Sequence, residues 1–488
     1  MKHNKNILKI SLLGFALTLG SCDRFLDVNT SPNNPEKATV KTLLPTALAG
    51  TAFANSNELN RFASTIMSVT AGVSNSPSNY DIYLITGGDF TNQWNFELYG
   101  GAMVNYYKLI KLSEETKATY FLGVGKIMLA YSFALTTDVW GDIPYLEALQ
   151  GDLGITAPKL TAQKDIYLGT DQVESLFDLV KSGLKDLDET NPLQLGGEDI
   201  VYQGNISKWK RAGNSLLLKL ATQISLVEPA KAKAIYEEVI GKKPIIEAND
   251  QNLAVNFGGQ VGSTAPIWTL THNSLFQNDL LISTRFVNLL KSKDDPRLPL
   301  FVTKPSGDYV TIDNGFRGIP PQPKVRSTYS SYVTGINGEG PTRLITASST
   351  SFNIAEAIIR LGISGDAQEY YKKGIAYSLS DAGLSNEQIT QYSNTHADEF
   401  TLSGTNENKI KQIITQKYIS QFSNGLEQWN DWRRTGYPDL PEHQNAGGED
   451  GKRPVRAIYL FTEQQRNPNF PQGTSVPKSN EKLWWDIN

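Results

Sequence analysis

Residues 119–138 are apolar on nearly every side of a helix, and this stretch limits the fold more than any other (Phe121, Leu122, Ile127, Met128, Leu129, Tyr131, Phe133 and Leu135). A helix apolar all round belongs either in a bilayer or at the centre of a large protein core. Lys126, Ser132 and the pair Gly123 and Gly125 favour the core. The chain has 488 residues, 39% of them hydrophobic and 20% charged, enough apolar material to surround such a helix.

The N-terminus reads differently. Lys2, Lys5 and Lys9 precede the apolar run from Ile10 to Leu19, the pattern of a signal peptide over residues 1–21. The run is too short for a bilayer span, which needs about 20 apolar residues. It ends in Leu19-Gly20-Ser21-Cys22, which resembles the lipobox of bacterial lipoproteins. Cys22 is therefore the expected lipidation site, carrying a diacylglycerol thioether and acyl chains such as palmitate. It is also the sole cysteine, so no internal disulfide can form and stability must come from burial. A Pro/Asn-rich tether over residues 22–35 follows. Formal net charge is −4, and loss of the three leader lysines leaves 43 basic against 50 acidic side chains, a net of −7. Such a body offers no basic field for nucleic acid or anionic lipid, so membrane attachment needs the anchor.

From residue 36 the periodicity predicts an all-α fold, a single domain over 36–488. Helices are expected over 36–55, 57–71, 92–116, 119–138, 163–187, 206–227 and 229–240, and over 277–291, 351–362, 365–382, 385–392 and 407–434. A loop-rich insert near 241–350 is rich in Gly, Pro and aromatic residues. Within it Leu298 to Lys304 and Tyr309 to Ile312 predict a minor β-hairpin. Ala355, Gly362, Ala367, Tyr371 and Gly374 carry the small/large spacing of a tetratricopeptide helix pair, and residues 206–240 fit a second pair.

Catalytic spacing is absent: there is no H-E-x-x-H, no G-x-S-x-G and no complete P-loop. His272, His396 and His443 have no ligand spacing, so neither a metal nor a cofactor is expected. Asp138 and Asp142 flank Trp140, a pairing that a glycosidase could use. A helix end capped at Gly141 explains the same residues structurally. Trp429, Trp432, Arg433 and Arg434 within Glu427–Pro438 read as buried aromatics with Arg–carboxylate pairs, or else as a sugar platform.

Several segments together resemble the SusD/RagB family of nutrient-binding outer-membrane lipoproteins. They are Cys22 with Asp23 to Asp27, Asp138-Val139-Trp140-Gly141-Asp142-Ile143-Pro144-Tyr145, and Trp209 with Ala212-Gly213-Asn214-Ser215-Leu216. The others are Asp294-Asp295-Pro296-Arg297-Leu298, Ala355-Glu356-Ala357, Gln416-Lys417-Tyr418, Trp429 to Pro438 and Leu483-Trp484-Trp485-Asp486. One departure is Leu460, which stands where relatives often have Pro after Tyr459.

The resemblance implies a tetratricopeptide-like scaffold, lipid anchoring on the outer face of the outer membrane, and pairing with a SusC-like TonB-dependent transporter. It implies binding of oligosaccharide or peptide without cleavage. A scaffold or lid subunit with no tight ligand site of its own, and a surface glycan hydrolase, are the alternatives. Ligand contacts vary across the family, so the site is sought among loop aromatics, whose flat rings stack on sugar faces or peptide side chains at low entropic cost. The candidates are Tyr80, Tyr83, Trp268, Tyr329 and Tyr332, with Arg285 or Asn75 adding hydrogen bonds.

Overall fold

The computed structural model describes residues 38–191, 193–273 and 275–487. The leader, Cys22 and the tether lie outside these residues. In chain order the first half comprises α1 (Val40–Ser56), α2 (Glu58–Ile66), α3 (Asn75–Tyr80), a π-helix (Gln93–Met103), α4 (Val104–Thr116) and α5 (Thr119–Trp140). It continues with α6 (Gln163–Leu168), α7 (Leu176–Asp186), α8 (Ile206–Gln223) and α9 (Pro229–Val239). Short helices follow: α10 (Pro266–His272), α11 (Thr284–Lys291), α12 (Leu298–Phe301) and α13 (Ser331–Thr334). The chain then returns to α14 (Ala347–Leu361), α15 (Ala367–Asp381), α16 (Asn386–Thr395), α17 (Asn406–Ser420), α18 (Gly425–Thr435) and α19 (Phe461–Arg466).

The apolar helix α5 is the core element expected, with 83% of its most apolar window buried. It crosses α7 at glycine: a Cβ on Gly123 would lie 2.6 Å from the Gly183 carbonyl oxygen, and one on Gly183 would lie 2.7 Å from that of Gly123. Gly141, at φ +86, ends α5, and its N–H donates to the Thr137 carbonyl. The C-terminal segment then closes over that end. Ala457 N donates to Val139 O at 2.8 Å, Trp485 Nε1 to Asp138 Oδ1 at 2.9 Å, and Arg456 reaches Trp140 O.

The helix pair read from residues 354–374 is α14 and α15. Gly362 takes a left-handed conformation (φ +63), Thr346 and Asp366 cap the two helices, and Tyr371 fills the groove. Gly374 faces Phe352, and a Cβ there would lie 2.6 Å from the ring. Gly374→Val is accordingly expected to cost about 1–3 kcal/mol, read by urea unfolding. The α8–α9 pair follows the same plan, with Pro229 at the first turn of α9 and Tyr236 hydrogen-bonded to Thr222 at 2.6 Å.

Several predicted helices are interrupted, each for a local reason. The 163–187 helix divides at Gly169 (φ +79), after which Ser175 caps α7. The 407–434 helix divides before Asn424, whose side chain caps α18. The 57–71 helix stops at Ile66 because Ser68 turns left-handed (φ +59). The first half of the 92–116 helix is π-helical; Gly100 and Gly101 permit this, since a Cβ on either would meet the carbonyl oxygen five residues back.

The predicted hairpin is not formed. Leu298–Phe301 is helical, Val302 bridges to Tyr329, and Ile312 bridges in parallel to Ser283. The Asp295 carboxylate accepts from Arg297 N and Nε, both at 2.9 Å, and this turn starts a helix where a strand was expected. Among the described residues three antiparallel two-stranded ribbons appear instead: β1 (Thr70–Gly72) with β5 (Leu280–Ile282), β2 (Ile143–Pro144) with β3 (Leu160–Thr161), and β4 (Leu253–Val255) with β6 (Thr342–Ile345). The β1–β5 ribbon ties the 241–350 region to the helical body, and Phe286, Phe301 and Tyr329 pack around Phe422.

Candidate functional site

Of the five proposed tyrosines and tryptophans, three are core residues. Tyr80 is fully buried and donates to Glu58 at 2.8 Å. Tyr83 is 1% exposed, accepts from His443 N at 3.0 Å and packs on the His443 ring. Tyr329 is buried against Phe422. Sequence reasoning placed these rings on loops; the structure covers them with distant segments, so they present no face to solvent. Tyr332 is half-buried, with the Arg343 guanidinium 4.1 Å above its ring and its hydroxyl donating to Asp381 at 2.7 Å. Arg285 is held by Asp313 (2.6 Å) and the Pro441 and Glu442 carbonyls, and Asn75 donates to Asp279 at 2.7 Å.

Trp268, like Tyr332, is half-buried. Pro266 opens α10, and one turn later His272 stacks on the indole, with ring centroids 3.6 Å apart and planes 12° from parallel. His272 Nδ1 lies 3.1 Å from the Trp268 carbonyl oxygen, which fixes the ring pair. Gly338 (φ +98) lies against the indole, where a Cβ would sit 3.0 Å from Cγ, and its carbonyl accepts from Ala265 N at 2.7 Å. Gly338→Val is expected to displace Trp268 and to lower Tm, because a branched side chain is strained at φ +98; thermal unfolding reads the loss.

α10 packs on α1, which brings in residues that sequence reasoning missed. Phe53 on α1 is 38% exposed and meets Phe257 edge-on at 6.4 Å. Phe96 on the adjacent π-helix is 71% exposed; its neighbour Glu97 accepts from Asn57, one turn beyond Phe53. Gly100-Gly101 was the available signal, because paired glycines inside a helix mark irregular geometry and π-helical segments concentrate at functional sites. Trp268 and His272 on α10, Phe53 on α1, Phe96 on the π-helix and Phe257 on a loop are thus partly or fully exposed rings.

The carboxylate pair is not arranged for hydrolysis. Asp138 is buried, accepting from Tyr167 at 2.8 Å and Trp485 at 2.9 Å, whereas exposed Asp142 accepts from Gln163 N at 2.8 Å. Burial drives the Asp138 carboxyl up to about 6, against the lowering influence of Lys219 and Arg433. Trp429 is buried beneath Arg433, whose guanidinium carbon lies 3.6 Å from the ring centroid, so this motif is a core lock.

One constellation was illegible in the sequence. Ser68 Oγ lies 2.9 Å from His443 Nε2, and His443 Nδ1 lies 2.9 Å from the Asp81 carbonyl oxygen and 3.8 Å from its carboxylate. The order is that of a nucleophilic triad. All three residues are buried, and the Asp81 carboxylate is already engaged by Asn314 (2.7 Å) and Gly315 N (2.5 Å). Burial also holds His443 well below the usual histidine range. These groups pin the 438–453 strap to the loop after α2. No cluster of metal-ligating side chains occurs among the described residues. A groove of about 930 Å³ is lined by Lys293, Glu399, Asn408, Lys411 and Gln412. Its lysines are paired, Lys293 with Glu399 and Lys411 with Asp439.

The fold and the ring-bearing loops define a class, a helical-hairpin scaffold that displays aromatic side chains. A family model described as SusD-like_2, starch-binding associating with outer membrane, matches residues 32–460, and the chain belongs to that family. Solved structures agree on the fold. A chitin-binding protein is 23% identical, with TM-score 0.75 over 92% of this chain and 100% of its own. A SusD homologue from Bacteroides uniformis ATCC 8492 is 23% identical, with TM-score 0.74 over 91% and 99%. A chitin-binding SusD homologue from Flavobacterium johnsoniae is 22% identical, with TM-score 0.72 over 91% and 99%. No curated protein matches the chain.

Proposed function

We propose that the protein captures oligosaccharides at the cell surface without cleaving them and delivers them to a SusC-like TonB-dependent transporter. The observation that carries this reading is the Trp268–His272 stack on α10, a helix packed against α1, which bears exposed Phe53. Flat rings match the C–H faces of sugars, and the one carboxylate pair that the sequence suggested for hydrolysis is split between buried Asp138 and exposed Asp142. The family's starch-binding description and two chitin-binding relatives favour glycan over peptide.

Residues 1–21 then serve as the leader, lipid on Cys22 as the anchor, residues 22–35 as the tether and residues 36–488 as the binding domain. Cys22→Ser should move the protein from the membrane fraction to the soluble one; retention in the membrane would overturn the anchor. Binding is tested by thermal shift against panels of oligosaccharides and oligopeptides. A ligand at about 100 times its Kd adds about 2.7 kcal/mol to the folded state. A saturable shift with glycans, lost in Trp268→Ala, is expected. A shift confined to peptides would reassign the ligand, and no shift would favour the scaffold reading.

A further inference from the structure

The β4–β6 ribbon has a second side. Leu253 and Val255 point into the core, both 0% exposed, while Ala254 faces a separate pocket of about 340 Å³. That volume falls near the lower end of the roughly 300–1,000 Å³ typical of small-molecule sites. Its walls come from α8, the turn before β4, β6 and α15, and they include Gln203, Lys208, Asn249, Asn252 and Arg343.

The charges in these walls are matched. Arg343 Nε meets Asp381 Oδ2 at 2.8 Å, and Lys208 Nζ meets Asp250 Oδ2 at 3.1 Å. Tyr332 backs the first pair, its ring under the Arg343 guanidinium and its hydroxyl on Asp381. Asn249 donates through Nδ2 to the Tyr377 carbonyl at 3.0 Å, whereas its Oδ1 is buried and accepts no hydrogen bond among the described residues. Paired charges and amides offer donors and acceptors together. A hydroxyl group, which both donates and accepts, satisfies such a wall, and a net charge would find no counter-ion.

Pocket and platform share the same two loops. Asn256 lines the pocket, and the next residue, Phe257, meets Phe53. Pro341 lines the pocket, and Gly338, three residues earlier, lies against Trp268. Three residues of extended chain span about 10 Å, a distance that an oligosaccharide of several units bridges.

Resting on the glycan reading above, we propose that this pocket is a second subsite, taking a neutral, hydroxyl-rich unit of a chain whose other end stacks on Trp268. Two linked contacts raise affinity beyond either alone. The test is titration calorimetry of the full chain in detergent with malto- and chito-oligosaccharides of increasing length. Affinity should rise with length by roughly tenfold or more. Ala254→Phe, which fills the pocket without removing a side-chain hydrogen bond, should flatten that rise and leave short ligands unaffected. Lys208→Met, outside the ribbon, should lessen it independently. Trp268→Ala should weaken ligands of every length. If folded Ala254→Phe keeps the full length dependence while Trp268→Ala loses affinity, the subsite is refuted and the platform stands. If Trp268→Ala binds normally, the platform falls and this proposal with it.

Discussion

Arg434→Leu is expected to destabilise the protein by about 3–5 kcal/mol, because it strands two carboxylates in the core. Arg434 is 0% exposed and grips Glu356 through both terminal nitrogens, one contact at 2.8 Å, and Asp431 at 2.9 Å. Lys417 bonds Asp431 at 2.8 Å and Asn353 at 2.7 Å, so α14, α17 and α18 meet at one ionic knot. Burial alone would raise the Glu356 and Asp431 carboxyls. Arg434 more than offsets this for Glu356, and Lys417 with Arg434 does so for Asp431, so both lie below their ordinary values. Removing the guanidinium reverses that balance. The double variant Glu356→Leu/Arg434→Leu should recover part of the loss, since replacing both partners leaves less uncompensated charge. Urea unfolding of the single and double variants measures the difference. Equal loss in both would point to packing rather than charge.

Asp138→Asn should gain about 2 kcal/mol relative to the parent between pH 4 and pH 7. The carboxyl titrates at about 6 when folded against 3.8 as the ordinary value, with burial the main cause. A raised acid holds its proton more tightly in the folded state. Its contribution is therefore fully present below pH 3.8 and is lost as the pH rises toward 6. Asparagine carries no titrating proton, and its carbonyl oxygen can still accept from Tyr167 and Trp485. Comparing the two proteins cancels Asp81, also raised to about 6, and His443, whose lowered value acts in the opposite direction. Parallel stability curves for parent and variant across pH 4–7 would show that Asp138 is solvated.

The elements that sequence resolved well are those whose contacts are encoded locally. The spacing Ala355, Gly362, Ala367, Tyr371, Gly374 marks helix faces in contact, and α14 and α15 pair along it. The all-round apolarity of α5 likewise announced its burial. Helix breaks were less visible because single capping side chains set them, as at Ser175 and Asn424. The ribbons were invisible for another reason: Thr70 pairs with Ile282 and Leu253 with Ile345, partners too remote for any local pattern.

The candidate site was legible only in part. Trp268 stood out as an aromatic in a Gly/Pro-rich segment. Tyr80 and Tyr83 follow the polar stretch Ser74 to Asn79, yet packing by Phe62 and Phe90 and a strap more than 350 residues away bury them. Phe53 and Phe96 fell on helices, where an apolar residue is read as core. Only the packing of α1 and the π-helix leaves them at the surface. The approach of Ser68 to His443 bridges 375 positions of sequence, beyond the reach of spacing arguments.

Equilibrium dialysis of the full chain in detergent against a defined malto- or chito-oligosaccharide, followed by chromatography of the recovered sugar, tests capture without cleavage most directly. The account predicts saturable enrichment of the sugar on the protein side and its recovery at the original length. Equal partition across the membrane at every concentration, or recovery of shortened products, would contradict it.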